Sequence, residues 1–376
     1  MVTGDEWPRV VHVDTERTWG GGQRQVVALA TGIWQRGCCS VVAARPGTRL
    51  TAELSGAGVE VVPLAPSFEW DFRAVRRLRA TLRATRADVV HAHAAHAVAV
   101  AAWASVGTSA RLIVTRRVAL PLRRNPLSRW KYGRAVGFIA VSERVRAALA
   151  GSGIGPDRIT VVRSGVDLTR AVPRADAATL QALGVDGHRP LVVMVSALIP
   201  PHKDPETFIA AVAAVRDAGR SIQALLIGDG PLAGAVERAR RAHRLEGVLH
   251  LAGFRHDAVS LLAAADVAVL SSRDEGLGTT LLDAMLAGVP VVATAAGGVT
   301  EVVRDGVDGL LTPIGDGAAL GAALIRVLDD ARLRSALARA GRERVRQFSI
   351  EGTVGKTLEA YRALASDRGG WRRAGA

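Results

Sequence analysis

The amino-acid sequence predicts an α/β protein made of two doubly wound parallel-sheet domains. Short runs of β-branched residues alternate with helical stretches along most of the chain, which is the pattern of parallel sheets flanked by helices. The alternation breaks once, at residues 168–189, where prolines and mixed polar residues replace it. The 376 residues, of which 49% are hydrophobic, suffice for two cores. We therefore expect domains at residues 1–170 and 190–348, joined by a linker at 171–189.

Composition and charge narrow the range of partners. Lysine and arginine outnumber acidic residues by 49 to 35, for a net charge of +14, which attracts nucleic acid, anionic lipid or phosphorylated substrates. Only 4% of residues are aromatic and no nucleic-acid recognition motif is present, so nucleic acid is not expected. No apolar run reaches the ~18 residues of a membrane span, and the start lacks a signal-peptide core. Because Cys38 and Cys39 are adjacent and cannot easily pair, we expect a cytoplasmic protein.

The first half carries seven predicted strands separated by helical stretches. They are Arg9–Asp14, Ser40–Ala44, Val59–Leu64, Asp88–His91, Arg111–Thr115, Gly137–Ser142 and Ile159–Arg163. The first strand leads into a glycine turn, Gly20 to Gly22, and then a helix from Gln23 to about Arg36. A strand, glycine turn and helix can cradle a phosphate or a sugar, which points to Gly21 and Gly22. A flexible loop is the alternative, because the glycines do not follow the dinucleotide-binding fingerprint.

Two basic clusters mark the first half. A helix predicted from Phe72 to Arg86 has an apolar stripe of Val75, Leu78 and Leu82, and arginines on its other faces. The second cluster is interleaved with apolar residues and comprises Arg116, Arg117, Arg123, Arg124, Arg129, Lys131 and Arg134. A solvated surface is one explanation of such clusters. A docking surface for the anionic cytoplasmic leaflet of a membrane is the other.

Three histidines, His91, His93 and His96, lie where the fourth strand ends and the next helix begins. Their spacing could suggest a metal site, but no acid or cysteine cluster accompanies them, so we predict none. Sites in parallel sheets form at strand ends. We therefore predict that His93 is catalytic and that His96 lies on the acceptor side.

The second half repeats the alternation. Strands are predicted at Leu191–Ser196, Ala224–Gly228, Val248–Gly253, Val267–Leu270 and Val289–Ala293, and the last helices at Ala318–Leu328, Ala331–Phe348 and Ile350–Ala365. Residues 368–376 read as a basic tail. Lys203 stands just before a helix that follows the first of these strands. Because the helix dipole disfavours a cation there, the position favours an anionic ligand over a merely solvated lysine.

The stretch from Asp266 to Gly309 organises the second half. It reads as strand, glycine loop, helix, strand, glycine loop and helix, so both loops open onto one edge of the sheet. The first loop and helix start hold Glu275, Gly276, Gly278, Thr279, Thr280 and Asp283. Glycines let a ligand approach the backbone, amides at a helix start suit phosphate, and carboxylates suit hydroxyls. A diphosphate joined to a sugar offers both groups. For Asp283, expected in the first helical turn, stabilisation of the helix terminus is the alternative.

These residues resemble the signature of the retaining glycosyltransferases of family 4, which have the GT-B fold of two Rossmann-like domains facing across a cleft. The matching residues are Glu275, Asp283, Ala284, Met285, Ala287, Gly288, Pro290 to Ala293, Gly297, Gly298, Val299 and Glu301. The usual second acid is glutamate, which is one methylene longer than Asp283. The resemblance implies metal-independent transfer of a sugar from a nucleotide-diphosphate sugar, with retention and without a cofactor. It also implies that the last helix, at residues 349–367, returns to the first domain.

The resemblance assigns roles to individual residues. Glu275 would contact the donor sugar, Asp283 the nucleotide ribose and Lys203 the diphosphate, with Glu275 and Lys203 counted as catalytic. The donor site would comprise Gly21, Gly22, His202, Lys203, Gly228, Gly230, Arg255, Glu275, Gly276, Gly278, Thr279, Thr280 and Asp283. The arginine that usually precedes the lysine is missing, so His202 or Arg255 is expected to compensate. Many relatives carry a cleft histidine after the fifth strand, where this chain has Arg116 and Arg117, which we place on the acceptor side.

Three alternatives remain open from the sequence. A sugar-nucleotide-binding protein without turnover would explain the same loops, because the usual cleft histidine and diphosphate arginine are both replaced. Gly228 and Gly230 suggest a nicotinamide-dependent oxidoreductase, but the next strand ends at Arg255 rather than at the acid that a ribose needs. Two carboxylates acting as acid and nucleophile would make a hydrolase. The basic first domain favours a lipid-linked or cell-envelope glycan as acceptor, at the inner leaflet of the membrane.

Overall fold

The computed structural model describes residues 7–123 and 125–366, and for residues 365 and 366 it describes only the backbone. Contacts divide the chain into two compact units. The first unit runs to Asp167 and takes up the chain again from Ile350, and the second unit is Leu168–Ser349. Each contains one parallel β-sheet among helices, which confirms the predicted fold class. The predicted basic tail, residues 368–376, and Arg124 lie outside the described residues.

The strands of the described residues are short and their apolar side chains are mostly buried. They are β1 (Val10–Asp14), β2 (Ser40–Ala44), β3 (Glu60–Pro63), β4 (Val89–Ala92), β5 (Arg111–Arg116), β6 (Gly137–Ala140), β7 (Ile159–Val161), β8 (Leu191–Val195), β9 (Gln223–Ile227), β10 (Leu249–Gly253), β11 (Val267–Leu270), β12 (Val291–Thr294) and β13 (Leu310–Thr312). Runs such as the wholly buried β1 and β2 are typical of parallel sheets that are covered on both faces.

Helices connect the strands. They are α1 (Gly21–Gln35), α2 (Arg49–Gly56), α3 (Phe72–Ala84), α4 (Ala95–Ser105), α5 (Pro126–Gly133), α6 (Glu143–Gly151), α7 (Ala177–Ala182), α8 (Pro205–Asp217), α9 (Ala233–Ala242), α10 (Ala258–Ala263), α11 (Thr279–Ala287), α12 (Val299–Val302), α13 (Gly317–Asp329), α14 (Ala331–Val345) and α15 (Ile350–Ser366). Short 3₁₀ helices lie at Pro156–Arg158 and Arg346–Phe348. Among the described residues, no helix combines the length and the apolar character needed to cross a bilayer.

Strand order places a ligand edge in each unit. The first sheet has the order β3-β2-β1-β4-β5-β6-β7, and the second has the order β10-β9-β8-β11-β12-β13, with parallel neighbours throughout. The order reverses between β1 and β4 in the first sheet and between β8 and β11 in the second. Ligands of doubly wound sheets bind outside the carboxyl ends of the strands at such a reversal.

The last helix, α15, packs onto the first unit. Its residues Val354, Leu358 and Tyr361 are at most 1% exposed and join a core with Leu29 of α1 and Ile113 of β5. The chain therefore leaves its first unit after Asp167 and comes back to it through α15.

The segment predicted as a linker, residues 171–189, is attached to the second unit. It contains α7, the amide of Ala175 donates to Ser260 O at 2.9 Å, and Arg174 donates to Ala264 O at 3.1 Å. Helix boundaries also differ from prediction. Helix α1 begins at Gly21 rather than Gln23, so Gly21 and Gly22 form its first turn instead of a loop. Helix α3 ends at Ala84, two residues early, because the backbone of Arg86 is left-handed with φ of 47°.

Candidate functional site

Lys203 and Glu275 meet at the carboxyl ends of the neighbouring strands β8 and β11. Lys203 Nζ donates to Glu275 Oε1 in an ion pair, and Ser272 Oγ donates to the same oxygen at 2.7 Å. The two side chains are only 23% and 12% exposed. The structure therefore brings together, at one sheet edge, the two residues that the sequence analysis assigned to one ligand.

The loop that follows β12 holds the Glu275 loop in place. The amide of Gly298 donates to Glu275 O at 2.9 Å, and a Cβ on Gly298 would lie 2.1 Å from Gly276 O. A Cβ on Gly297, whose φ is 55°, would lie 2.4 Å from Glu275 O. Only glycine permits this approach of one backbone to another. The glycine pair therefore sets the position of the Glu275 backbone.

Helix α11 starts beside this loop. Its N-terminal residue Thr279 follows Gly278, which has a left-handed φ of 84°, and no side chain caps the terminus. The first-turn amides of Thr279 and Thr280 point out of the helix along its axis and are suited to an anion.

Asp283 occupies a different position from the one predicted. It is the fifth residue of α11 and lies in the second turn, because the helix starts at Thr279. The carboxylate is 2% exposed, and its Oδ1 accepts from Arg170 NH2 at 2.7 Å. Arg170 was not singled out from sequence, and it belongs to the second unit rather than to the predicted first domain. The ribose contact of Asp283 stays a prediction.

Gly228 and Gly230 have a structural reason to be glycine. Their φ angles are 145° and 151°, and a Cβ would lie 1.9 Å from Ser196 O in the first case and 2.5 Å from Leu198 O in the second. They let the loop after β9 pack against the loop that leads to Lys203. Their contact with the donor stays a prediction.

Two residues were expected to replace the missing diphosphate arginine. Arg255 donates to both carboxylate oxygens of Asp257, at 2.8 and 2.7 Å, and follows β10, the strand at the outer edge of the sheet. Its charge is therefore balanced locally. His202 adjoins Lys203, and its carbonyl accepts from Arg273 N at 2.8 Å. That His202 or Arg255 compensates for the missing arginine stays a prediction.

The first unit has a polar edge of its own at β1 and α1. Asp14, the last residue of β1, accepts from Glu16 N at 3.0 Å and from Gln23 Nε2 at 3.2 Å. Burial raises the pKa of Asp14, and these two hydrogen bonds and Arg117 offset part of that rise. Helix α1 begins next to it at Gly21, with no side-chain cap. Asp14 was not singled out from sequence, although its place at the end of a buried strand was a usable signal.

His93 belongs to a buried cluster of three histidines. His12 Nδ1 lies 3.0 Å from His93 Nε2, and the rings of His91 and His93 lie 3.9 Å apart. His91 forms 2.6 Å hydrogen bonds to Thr115 Oγ1 and Tyr361 Oη. Burial lowers the pKa of His12 to about 3 and the pKa values of His91 and His93 well below their usual range, so all three are neutral at pH 7.

The histidine cluster has the composition of a metal site but not its hydrogen bonding. Ligand atoms of His12, His91 and His93 lie within 4.8 Å of one another. Both nitrogens of His91 are already hydrogen-bonded to hydroxyls, so His91 could bind a metal only by giving up one of these bonds. Arg117 also adds a positive charge nearby. The cluster fits a neutral hydrogen-bonded group better, and the metal-free site stays a prediction.

The predicted acceptor-side residues have different surroundings in the structure. Arg117 lies against Gly22 and donates to Ser164 Oγ at 3.4 Å, while its buried Nε has no partner among the described residues. Burial lowers the pKa of Arg117 to about 10, and Asp14 partly opposes this. Arg116 NH2 donates to Leu120 O at 3.1 Å. His96 is exposed on α4, outside the cluster that contains His93.

Two doubly wound units, each with polar side chains at its strand-order reversal, define a protein of the GT-B class. Solved structures share this fold. Anabaena Alr3699/HepE in complex with UDP and glucose has a TM-score of 0.81 at 22% identity, over 94% of this chain and 98% of that chain. A glycosyltransferase from Rickettsia africae has a TM-score of 0.80 at 19% identity, over 95% and 98%.

The family follows from the sequence comparison. The model described as Glycosyltransferase Family 4 matches residues 19–170, and the model described as Glycosyl transferases group 1 matches residues 189–330. The chain belongs to glycosyltransferase family 4, which confirms the resemblance drawn from the Glu275 to Glu301 signature.

Curated relatives match part of the chain. The D-inositol 3-phosphate glycosyltransferase of Saccharomonospora viridis is 35% identical over 226 residues, which is 57% of this chain and 52% of the relative. The 2-deoxystreptamine glucosyltransferase of Streptomyces kanamyceticus is 32% identical over 64% of each chain. The alignments thus span about half to two thirds of the length of these relatives.

Proposed function

We propose that the protein is a retaining, metal-independent glycosyltransferase that moves a sugar from a nucleotide-diphosphate sugar to an acceptor. The observation that carries the proposal is the contact of Lys203 with Glu275 beside the uncapped start of α11. The donor presents sugar hydroxyls and a diphosphate next to each other. The Lys203 ammonium can bind the diphosphate, and the Glu275 carboxylate can bind a sugar hydroxyl. The two charges neutralise each other until the donor enters.

The choice of donor class is supported by the family and by solved relatives of the fold. Structures of Anabaena Alr3699/HepE were obtained in complex with UDP and with UDP-glucose. In this chain the first-turn amides of α11 are suited to phosphate, and the Glu275 carboxylate to a sugar hydroxyl. A nucleotide-diphosphate sugar satisfies both.

Charge development explains how the site would accelerate transfer. Cleavage of the anomeric bond leaves negative charge on the departing diphosphate. Lys203 and the α11 amides would stabilise this charge more strongly in the transition state than in the ground state. Glu275, oriented by Ser272, would accept from a hydroxyl of the donor sugar. With retention, the leaving phosphate itself takes the acceptor proton, so no protein base is needed.

For the acceptor we propose a lipid-linked or cell-envelope glycan, used in the cytoplasm at the inner leaflet. A putative colanic acid biosynthesis glycosyltransferase of Salmonella typhimurium is among the relatives, at 31% identity over 231 residues. Other relatives are named for inositol 3-phosphate and 2-deoxystreptamine, which are small ring polyols. The Nε of Arg117, which has no partner in the part of the chain that the structure describes, favours an acceptor that carries an anionic group.

The first experiment is a calorimetric titration with UDP, GDP and ADP and their sugars, followed by assays of nucleotide release with lipid extracts. Lys203→Ala and Glu275→Ala should each lower transfer at least tenfold, a rise of ~1.4 kcal/mol in the barrier. NMR of the anomeric proton tests retention, and chelation with EDTA tests metal independence.

A matched control is the exposed ion pair of Arg220 with Asp329 in the same unit. Arg220→Ala breaks an ion pair away from the sheet edge and should leave transfer within about twofold. Near-normal transfer by both Lys203→Ala and Glu275→Ala would overturn the assignment. Donor binding without nucleotide release for any acceptor would favour a binding protein, and hydride transfer to a nicotinamide would favour the oxidoreductase.

A further inference from the structure

Exposed aromatic and basic side chains cluster where α3 begins. We call this the aromatic–basic surface, and its residues are Phe68, Trp70, Phe72, Arg73, Arg76 and Arg77. The three aromatic residues are 48%, 62% and 68% exposed. The whole chain has only seven tryptophans, six phenylalanines and two tyrosines. Three of them exposed within five positions cannot be explained by core packing, and large exposed apolar groups of this kind mark interaction sites.

The turn that carries these aromatic side chains is fixed by its own hydrogen bonds. Asp71 accepts from Ser67 N and Arg73 N, each at 3.0 Å, and so caps α3. Glu69 accepts from Lys131 Nζ of α5 through both carboxylate oxygens at 2.8 Å. The aromatic rings are therefore held in solvent by a braced turn, and docking would require little further ordering of the backbone.

The surface carries a net positive charge. Helix α3, with the sequence FRAVRRLRATLRA, contains five arginines and no acid. It buries Ala74, Val75, Leu78 and Leu82, which confirms the predicted apolar stripe and turns Arg73, Arg76, Arg77 and Arg83 to solvent. The nearby acids are engaged, Glu69 by Lys131 and Asp71 by backbone amides. With Glu69 paired to Lys131, the exposed Arg73, Arg76 and Arg77 outnumber the Asp71 carboxylate and leave the surface with a net positive charge.

We propose that the aromatic–basic surface docks the first unit onto an anionic lipid bilayer. Tryptophan and phenylalanine partition into the headgroup boundary, while arginines pair with lipid phosphates, so the two residue types act on the same partner. The surface adjoins β3 at the carboxyl edge of the first sheet, the edge that also carries Asp14 and His93. Docking there would bring that edge close to lipid-borne molecules. The inference does not depend on transfer activity.

Vesicle flotation tests the proposal with the 376-residue chain. Vesicles of phosphatidylcholine alone are compared with vesicles of phosphatidylcholine mixed with phosphatidylglycerol. The protein should float with the anionic vesicles only, and less at high salt. The double variant Trp70→Ala/Phe72→Ala and the triple variant Arg73→Gln/Arg76→Gln/Arg77→Gln should each reduce partitioning at least about tenfold. All the altered side chains are exposed, and circular dichroism would check that the fold is retained.

The matched control removes three exposed arginines from helices of the second unit: Arg238→Gln, Arg332→Gln and Arg339→Gln. It lowers the net charge equally and should float like the wild type. Equal binding to neutral vesicles, full anionic binding by the Trp70/Phe72 variant, or an equal loss in the control would each overturn the proposal. So would displacement of the protein from anionic vesicles by random-sequence DNA at equal phosphate, because nucleic acid would then be the preferred partner.

Discussion

At the scale of single residues, the buried histidines of the first unit couple folding to pH. His12, His91 and His93 have pKa values lowered by burial, so the unfolded chain binds protons that the folded chain does not. The contribution of these neutral histidines to the free energy of unfolding is fully present above pH ~6.5, the pKa of a histidine in the unfolded chain. It is lost as the pH falls toward the pKa values of the folded protein, which for His12 is about 3. The raised pKa of Asp14 acts in the opposite sense, because the folded chain then holds its proton more tightly than the unfolded chain does.

We therefore expect the free energy of unfolding of the first unit to fall as pH is lowered from 6.5 to 5. Each buried histidine contributes up to about 1.4 kcal/mol per pH unit. In His12→Asn this slope should be smaller by about that amount. Tryptophan fluorescence in urea is the measurement, because the six tryptophans among the described residues all lie in the first unit and residues 168–349 contain none.

His96→Asn, at an exposed position of the same unit, is the control and should keep the wild-type slope. A wild-type stability that is flat between pH 6.5 and 5 would show that these histidines are protonated in the folded protein. The facing nitrogens of His12 and His93 would then both carry a proton, which conflicts with the neutral state that we assign to the cluster.

Residues at strand ends were predictable, and their long-range partners were not. Lys203 and Glu275 stand out in sequence because each follows a strand and precedes a helix, where side chains reach a ligand edge. His12 and Arg170 find their partners 81 and 113 positions away. No local spacing encodes such a contact, since it depends on which strands and loops become neighbours.

At the scale of elements, the loops after β11 and β12 pack closely against each other. Gly298 has ordinary helical φ of −71°, so alanine there is not strained in its backbone. Its Cβ would nevertheless lie 2.1 Å from Gly276 O, and the two loops must separate. Gly298→Ala should cost about 1–3 kcal/mol in the second unit and weaken UDP binding at least tenfold, because the Glu275 loop moves.

Gly247→Ala is the matched control, since a Cβ there meets nothing within 4 Å. It should leave both quantities unchanged. Calorimetric titration with UDP and urea unfolding followed by circular dichroism measure the two effects. Normal UDP binding by Gly298→Ala would mean that the position of the Glu275 loop is not what the glycine protects.

The predicted helix boundaries were wrong where glycine residues take part in a helix. The propensity of Gly21 and Gly22 predicts a turn, yet both lie in the first turn of α1, where Gly22 lies against Arg117. Asp283 was assigned to the first turn of α11 and lies in its second, because the helix starts at Thr279. Such shifts decide which side chains can reach a ligand at the helix end.

At the scale of the whole molecule, the last helix, α15, completes the hydrophobic core of the first unit. Tyr361 of α15 is fully buried, and its hydroxyl bonds to His91 Nδ1 of β4 at 2.6 Å. This contact ties the end of the chain to the strand that leads into His93. Residues 350–361 thus complete a core whose other members precede residue 168.

Tyr361→Phe keeps the ring and removes the hydroxyl, which leaves a buried nitrogen of His91 without its partner. The free energy of unfolding of the first unit should fall by about 1–3 kcal/mol, measured by tryptophan fluorescence in urea. Tyr132→Phe, a buried tyrosine of the same unit on α5, is the control and should lower it less. An unchanged midpoint in Tyr361→Phe would indicate that α15 is detached while the first unit is still folded. The first unit would then be complete without the end of the chain, against the shared core of α15 with α1 and β5.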